Sequence, residues 1–287
     1  MRLFALTTLT MFAFAANSVL NRLAVGGELI GPLGFAMLRL LAGAAMLGAL
    51  VGLRHARSGI APKAPRQIAQ TALGAGSLLV YLFGFSLAYG ALDAGGGALI
   101  LFGAVQITMF AGAFMLREPV PWHRWAGSAL AFGGLVVLLV PGGGGDPPGL
   151  HAAAMALAGI GWGIYSLAGR GTRDALGATA ANFIFAVPVG VALALSLGLG
   201  AMTAAGAALA ALSGALASGA GYALWYALLP RLGAARGAVA QLTVPLIAAA
   251  GGAVLIGEPI SWRFGVASAL VLGGVGFAAL SRHSYRS

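Results

Sequence analysis

Ten stretches of this chain run for about twenty residues almost without charge: 3–24, 33–53, 67–91, 95–116, 122–140, 150–169, 176–197, 208–229, 235–256 and 260–280. A helix needs about 20 apolar residues to cross a hydrocarbon layer of about 30 Å. The runs are continuous rather than alternating, which excludes the spans of a β-barrel. Of the 287 residues 60% are hydrophobic and 8% charged, too few charges to clothe a soluble domain. The predicted fold is therefore an all-α integral membrane protein with ten transmembrane helices. Met1-Arg2 ahead of an apolar run, with Ala13-Phe14-Ala15, has the outline of a cleaved leader. The run continues to Ala24, so the first helix is expected to remain.

The chain also repeats itself 140 residues on. Glu118-Pro119-Val120-Pro121-Trp122 falls on Glu258-Pro259-Ile260-Ser261-Trp262, Ser128-Ala129-Leu130 on Ser268-Ala269-Leu270, and Gly133-Gly134 on Gly273-Gly274. Upstream, Gly97-Ala98 falls on Gly237-Ala238 and Gly112-Ala113 on Gly252-Ala253. At an offset of 148, Phe14, Asn17, Ser18 and Arg22 fall on Trp162, Tyr165, Ser166 and Arg170. The expected organisation is a five-helix repeat over 1–140, a connecting loop at 141–149 and a second repeat over 150–287. Five spans per half force the second half to run inverted, an arrangement suited to alternating access.

The net charge of +10 is dispersed over short loops, which argues against nucleic acid and reads as a topology signal. With the N-terminus inside, the cytoplasmic set holds Arg2, Arg54, Arg57, Lys63, Arg66, Arg117, Arg124, Arg170, Arg173, Arg231, Arg236, Arg282 and Arg286, which is 13 of the 16 Lys and Arg. Both termini are then cytoplasmic. There is no cysteine, hence no disulfide or thiolate metal site.

Rival chemistries lack their residues. His55, His123, His151 and His283 lie in loops or at span ends, which removes a rhomboid-like Ser–His protease and an intramembrane haem. The single lysine, Lys63, lies in a loop, so no buried Schiff base can form. No nucleotide-binding motif is present, and no loop has the makings of a partner-binding domain. The expectation is a non-enzyme without metal or cofactor.

The chain resembles the drug/metabolite transporter superfamily in its ten-helix EamA family. Phe14-Ala15-Ala16-Asn17-Ser18, Pro32 with Arg39, Trp162-Gly163 with Tyr165, and the two Glu-Pro pairs carry the resemblance. Within that family it looks most like the YddG-type exporters of aromatic amino acids. The resemblance implies efflux of aromatic and other hydrophobic amino acids across the bacterial inner membrane through a central cavity. A broad exporter of other small metabolites or drugs is the alternative. The expected partners are a small-molecule substrate and the bilayer, and the expected state is a monomer.

Polar groups in hydrocarbon are costly unless they face protein or water. Asn17, Gln106 and Gln241 are thus candidate cavity residues, with Asn182 a weaker one. Tyr81 and Phe85 share one helix face, as do Phe102 and Gln106, Trp162 and Tyr165, and Tyr222 and Trp225. These aromatics complete the candidate substrate site. Trp122, Trp125 and Trp262 sit at span ends and read as interfacial belt residues. No Asp or Glu lies mid-span, so a neutral or zwitterionic substrate is expected rather than a lipophilic cation. Arg39 is the one deep charge. It has three open readings: snorkelling to the interface, pairing with a helix-terminal carbonyl, or meeting a substrate carboxylate. It is grouped with Glu118, Glu258, Pro188 and Pro245 as gating or structural. The two prolines are expected to kink spans 7 and 9.

Overall fold

The computed structural model describes residues 2–58, 68–115, 122–139, 149–169, 172, 174–225, 227–228, 231, 240–241 and 243–280. Among them the secondary structure is helical, with one isolated antiparallel bridge, Ile30 to Met202. Helix α1 (Arg2–Asn21) widens at its end into a π-helical turn, Arg22–Gly26. There follow α2 (Pro32–Ser58), α3 (Ile68–Ala88), α4 (Ala94–Met115), α5 (Trp122–Leu139), α6 (Gly149–Ala168) and α7 (Ala175–Leu197). Helix α8 (Ala204–Leu212) continues through a π-helical stretch, Ser213–Ala220, as far as Trp225. Helices α9 (Val244–Ile256) and α10 (Trp262–Leu280) end the described chain.

Six of these helical stretches are long and apolar enough to cross a membrane: Arg2–Gly26, Pro32–Arg57, Ile68–Ala88, Gly149–Ala168, Ala175–Leu197 and Ala204–Trp225. Ala94–Met109 and Val244–Ile256 are shorter apolar helices. Phe4, Phe12, Ile68, Val80, Leu157 and Val254 stand exposed on the outside of the bundle. Such a surface is unfavourable in water and ordinary in lipid.

Local chemistry sets the ends. Pro32 opens α2, where its missing N–H is not needed. Thr203 caps α8 by accepting from Gly206 N at 3.0 Å. Gly257, at φ 78°, closes α9 in the left-handed conformation that glycine adopts without a Cβ clash. Pro188 lies inside α7, as expected. Pro245 occupies the first turn of α9, just after a turn at Thr243. The helix restarts there because proline fits a first turn, where no N–H is required. Glu118 and all of the connecting loop except Gly149 lie outside the described residues.

Packing follows small residues. A Cβ on Gly161 of α6 would meet the Ser77 carbonyl oxygen of α3 at 2.8 Å, and one on Gly84 of α3 would meet the Ala154 carbonyl oxygen of α6 at 2.8 Å. A Cβ on Gly159 would meet the Leu101 carbonyl oxygen of α4 more closely still, at 2.6 Å. Gly134 of α5 lies against Ala267 of α10, which makes it a packing residue, while Gly133 and Gly273 face open space. Between helices in lipid, contact of this kind supplies much of the association energy.

Asp174 caps α7 through Gly177 N at 3.0 Å and is gripped by Arg54 of α2 at 2.7 Å through both carboxylate oxygens. The hydrogen bonds from Arg54 hold its carboxyl below the ordinary carboxylate range. A depressed folded value means the contribution is complete above an unfolded pKa of about 3.9 and is lost as pH falls through the folded value. The ion pair is half-exposed, so the cap matters more than the charge. Asp174→Ala is expected to cost about 1 kcal/mol at neutral pH. The difference from wild type should narrow in acid, as followed by thermal unfolding in detergent.

Candidate functional site

At the centre of the bundle, side chains from five helices converge. Phe14, Asn17 and Ser18 come from α1, Tyr81 and Phe85 from α3, Leu101 and Phe102 from α4, Trp162 from α6 and Tyr222 from α8. Together they line a cavity of about 10 Å³. That is room for one water at most. Its walls are rings in contact: Tyr81 and Trp162 at 4.9 Å between centroids, Trp162 and Tyr222 at 4.8 Å, and Phe14 edge-on to Tyr222 at 5.7 Å. Tyr165 stacks behind Trp162 at 5.4 Å, and Trp225 meets the edge of Phe14 at 5.7 Å.

One wall is polar. Asn17 Oδ1 accepts from Ser213 Oγ at 2.7 Å and Ser218 Oγ at 3.2 Å. Both serines lie in the π-helical part of α8. A π turn is wider than an α turn and recurs at functional sites. Ser218 Oγ in turn accepts from Arg39 Nε at 2.9 Å. Arg39 is fully buried. Its Nη2 donates to the Tyr81 hydroxyl at 2.8 Å and to the Tyr222 hydroxyl at 3.5 Å. Its guanidinium carbon lies over the rings of Phe85 at 4.7 Å and Tyr81 at 5.1 Å. Arg39 is therefore buried rather than snorkelling to an interface, and among the described residues it pairs with no helix-terminal carbonyl. Side-chain hydroxyls and ring faces replace its water.

At one end of the bundle a second charged group ties three elements together. Arg22 Nε donates to Glu258 Oε1 at 2.7 Å, and the pair is largely buried, with side chains 23% and 11% exposed. Glu258 Oε2 accepts from Ala94 N at 2.8 Å, at the head of α4, where the helix dipole favours an anion. Asp93 adjoins it; burial pushes its carboxyl above the ordinary value.

Of the residues singled out by sequence, Asn17, Tyr81, Phe85, Phe102, Trp162 and Tyr222 line the cavity. Tyr165 and Trp225 form a second ring layer. Gln106 is half-buried on α4 and outside the cavity wall, and Gln241 is half-buried ahead of α9 and likewise outside it. Asn182 packs on Gly74 of α3 instead. Trp122, Trp125 and Trp262 are exposed. Sequence reasoning missed Phe14, Ser18 and Leu101 as lining residues and Ser213 and Ser218 as the partners of Asn17. The available signal was the small polar side chains of the 213–218 stretch, within an otherwise apolar span.

An all-helical bundle with apolar outer walls and an aromatic, partly polar centre is that of a multi-pass membrane protein. Residues 150–280 match the EamA-like transporter family. That family comprises membrane transporters of small molecules rather than enzymes. An uncharacterized protein of Pseudomonas aeruginosa is 45% identical over 276 residues, covering 96% of this chain and 93% of the relative. A protein of known crystal structure superposes with a TM-score of 0.69 at 20% identity, covering 96% of this chain and 98% of its own, a likeness of fold.

Proposed function

We propose that this protein is a secondary transporter that exports aromatic and other hydrophobic amino acids across the bacterial inner membrane by alternating access. The observation that carries the reading is the central cavity, walled by Phe14, Tyr81, Phe85, Phe102, Trp162 and Tyr222. An apolar site with a few convergent polar groups suits a ligand with a ring and a polar end. A cavity of about 10 Å³ admits no amino acid, so helices must part to load it. That requirement is the physical content of alternating access.

The proposed architecture is ten spans in two inverted halves, 1–140 and 150–287, with both termini cytoplasmic and the chain acting as a monomer. The packing supports it. An axis exchanging α1 with α6, α2 with α7, α3 with α8, α4 with α9 and α5 with α10 sends one packed pair onto another: α3·α6 onto α1·α8, α4·α6 onto α1·α9, and α3·α7 onto α2·α8. The pairs α5·α10, α4·α9 and α2·α7 map onto themselves.

The test is uptake of labelled phenylalanine, tryptophan and a lipophilic cation into proteoliposomes, with and without a pH gradient. Amino-acid flux without a gradient is expected, and Trp162→Ala should reduce it at least about tenfold, the equivalent of about 1.4 kcal/mol of lost ring contact. Cation flux driven only by the pH gradient would replace this reading with a drug antiporter.

A further inference from the structure

Arg39 carries a full charge at the centre of the bundle, yet its described neighbours do not neutralise it. Its Nη1, buried from solvent, has no hydrogen-bond partner among the described residues. The other donors end on hydroxyls of Ser218, Tyr81 and Tyr222. The described carboxylates lie elsewhere. Asp174 is held by Arg54. Glu258 is held by Arg22, with Asp93 beside it at the same end. Glu28 is exposed in the turn after α1. A buried charge within the membrane is costly and marks a substrate or ion pathway by default.

We infer that Arg39 is the anchor for a substrate carboxylate, and that the site selects aromatic monocarboxylates, amino acids being one member of that class. The inference rests on the aromatic site proposed above and defines its polar end. Tyr81 and Tyr222 both line the cavity and hydrogen-bond Arg39, so the guanidinium lies one hydroxyl layer behind the wall. When the helices part, a carboxylate can take Nη1 and the two phenol O–H groups together, while the ring lies between Trp162 and Phe14. Guanidinium and carboxylate match in planar geometry. The ammonium end of an amino acid finds no comparable partner among the described residues of the cavity wall. The amide oxygen of Asn17 already accepts from two serines, and no described carboxylate faces the cavity. The α-amino group should therefore be dispensable and the carboxylate essential.

The decisive comparison uses intact protein in detergent with two probes. 3-Phenylpropionate has the ring and the carboxylate, and phenethylamine has the ring and the amine. 3-Phenylpropionate should raise the thermal midpoint and phenethylamine should not, with affinities at least about tenfold apart, as expected for one charge-assisted hydrogen-bonded pair. In proteoliposomes 3-phenylpropionate should compete with labelled phenylalanine and phenethylamine should not. Arg39→Gln should lose binding of the carboxylate at least about tenfold, and Arg39→Lys should recover part of it. Equal or stronger binding of the amine by wild type, or binding of neither probe, overturns the inference even if Arg39→Gln fails to fold. Binding of 3-phenylpropionate without any phenylalanine transport would sink the amino-acid reading and leave the carboxylate anchor standing.

Discussion

Replacing Gly161 with leucine is expected to prevent recovery of folded protein. The cause is local. The Cβ site of Gly161 lies 2.8 Å from the Ser77 carbonyl oxygen and 2.9 Å from Tyr81 N, both in the backbone of α3. A backbone cannot step aside as a flexible side chain does, so α3 and α6 must separate. Even Gly161→Ala should cost about 1–3 kcal/mol, the usual scale for overpacking. Leucine adds three more carbons in the same place. Separation also spoils the site, because Tyr81 and Trp162 flank this contact and their rings touch only while the backbones do. Gly76 of α3 is the control. No atom lies within 4 Å of its Cβ site and it faces outward. Gly76→Ala should be neutral or stabilising by up to about 1 kcal/mol, because alanine favours a helix over glycine. Gly76→Leu should likewise be recovered folded. Monodisperse yield after detergent extraction and the thermal midpoint of each variant decide the matter. Equal recovery of Gly161→Leu and Gly76→Leu would show that α3 and α6 do not meet as described.

How much of this was legible in the sequence depends on the solvent. A bilayer is as apolar as the protein interior, so apolar periodicity says little about which face turns inward. Phe4, Phe12 and Phe14 look alike in the first span, yet Phe14 alone of the three is buried. Polar residues carry the information instead, because each must find protein. That is why Asn17 could be placed at the centre by inspection and Phe14 could not. The same rule misleads when a polar side chain packs away from the site, as Asn182 does over Gly74. The contacts that define the polar wall join residues far apart in sequence, Arg39 and Ser218 being separated by 179 in number and Asn17 and Ser218 by 201. Nothing local in either segment reports such a pairing. Pro245 shows the converse limit: a proline is visible at once, but whether it bends a helix or begins one depends on where the preceding turn falls.

Glu258→Gln is expected to open the end of the bundle that Arg22 and Glu258 hold together. The carboxylate joins the end of α1, through Arg22, to the head of α4, through Ala94 N, from the segment between α9 and α10. With both partners mostly buried, solvent screens the pair weakly. Glutamine is nearly isosteric and can still accept one hydrogen bond, but it leaves the Arg22 charge without its anion. Losing a charge-assisted bond of this kind costs about 1.5–3 kcal/mol, enough to change an open population at least about tenfold. The chain contains no cysteine, so Ser18→Cys is a reporter without background. Ser18 lines the closed cavity and is buried. A water-soluble thiol reagent should modify it slowly in the parent and at least about tenfold faster once Glu258→Gln is added. Exchanging the two charges, Arg22→Glu with Glu258→Arg, should restore only part of the protection. It rebuilds the ion pair, but an arginine cannot accept from Ala94 N. Unchanged labelling in the Glu258→Gln background would mean that the apolar contacts alone keep this end shut.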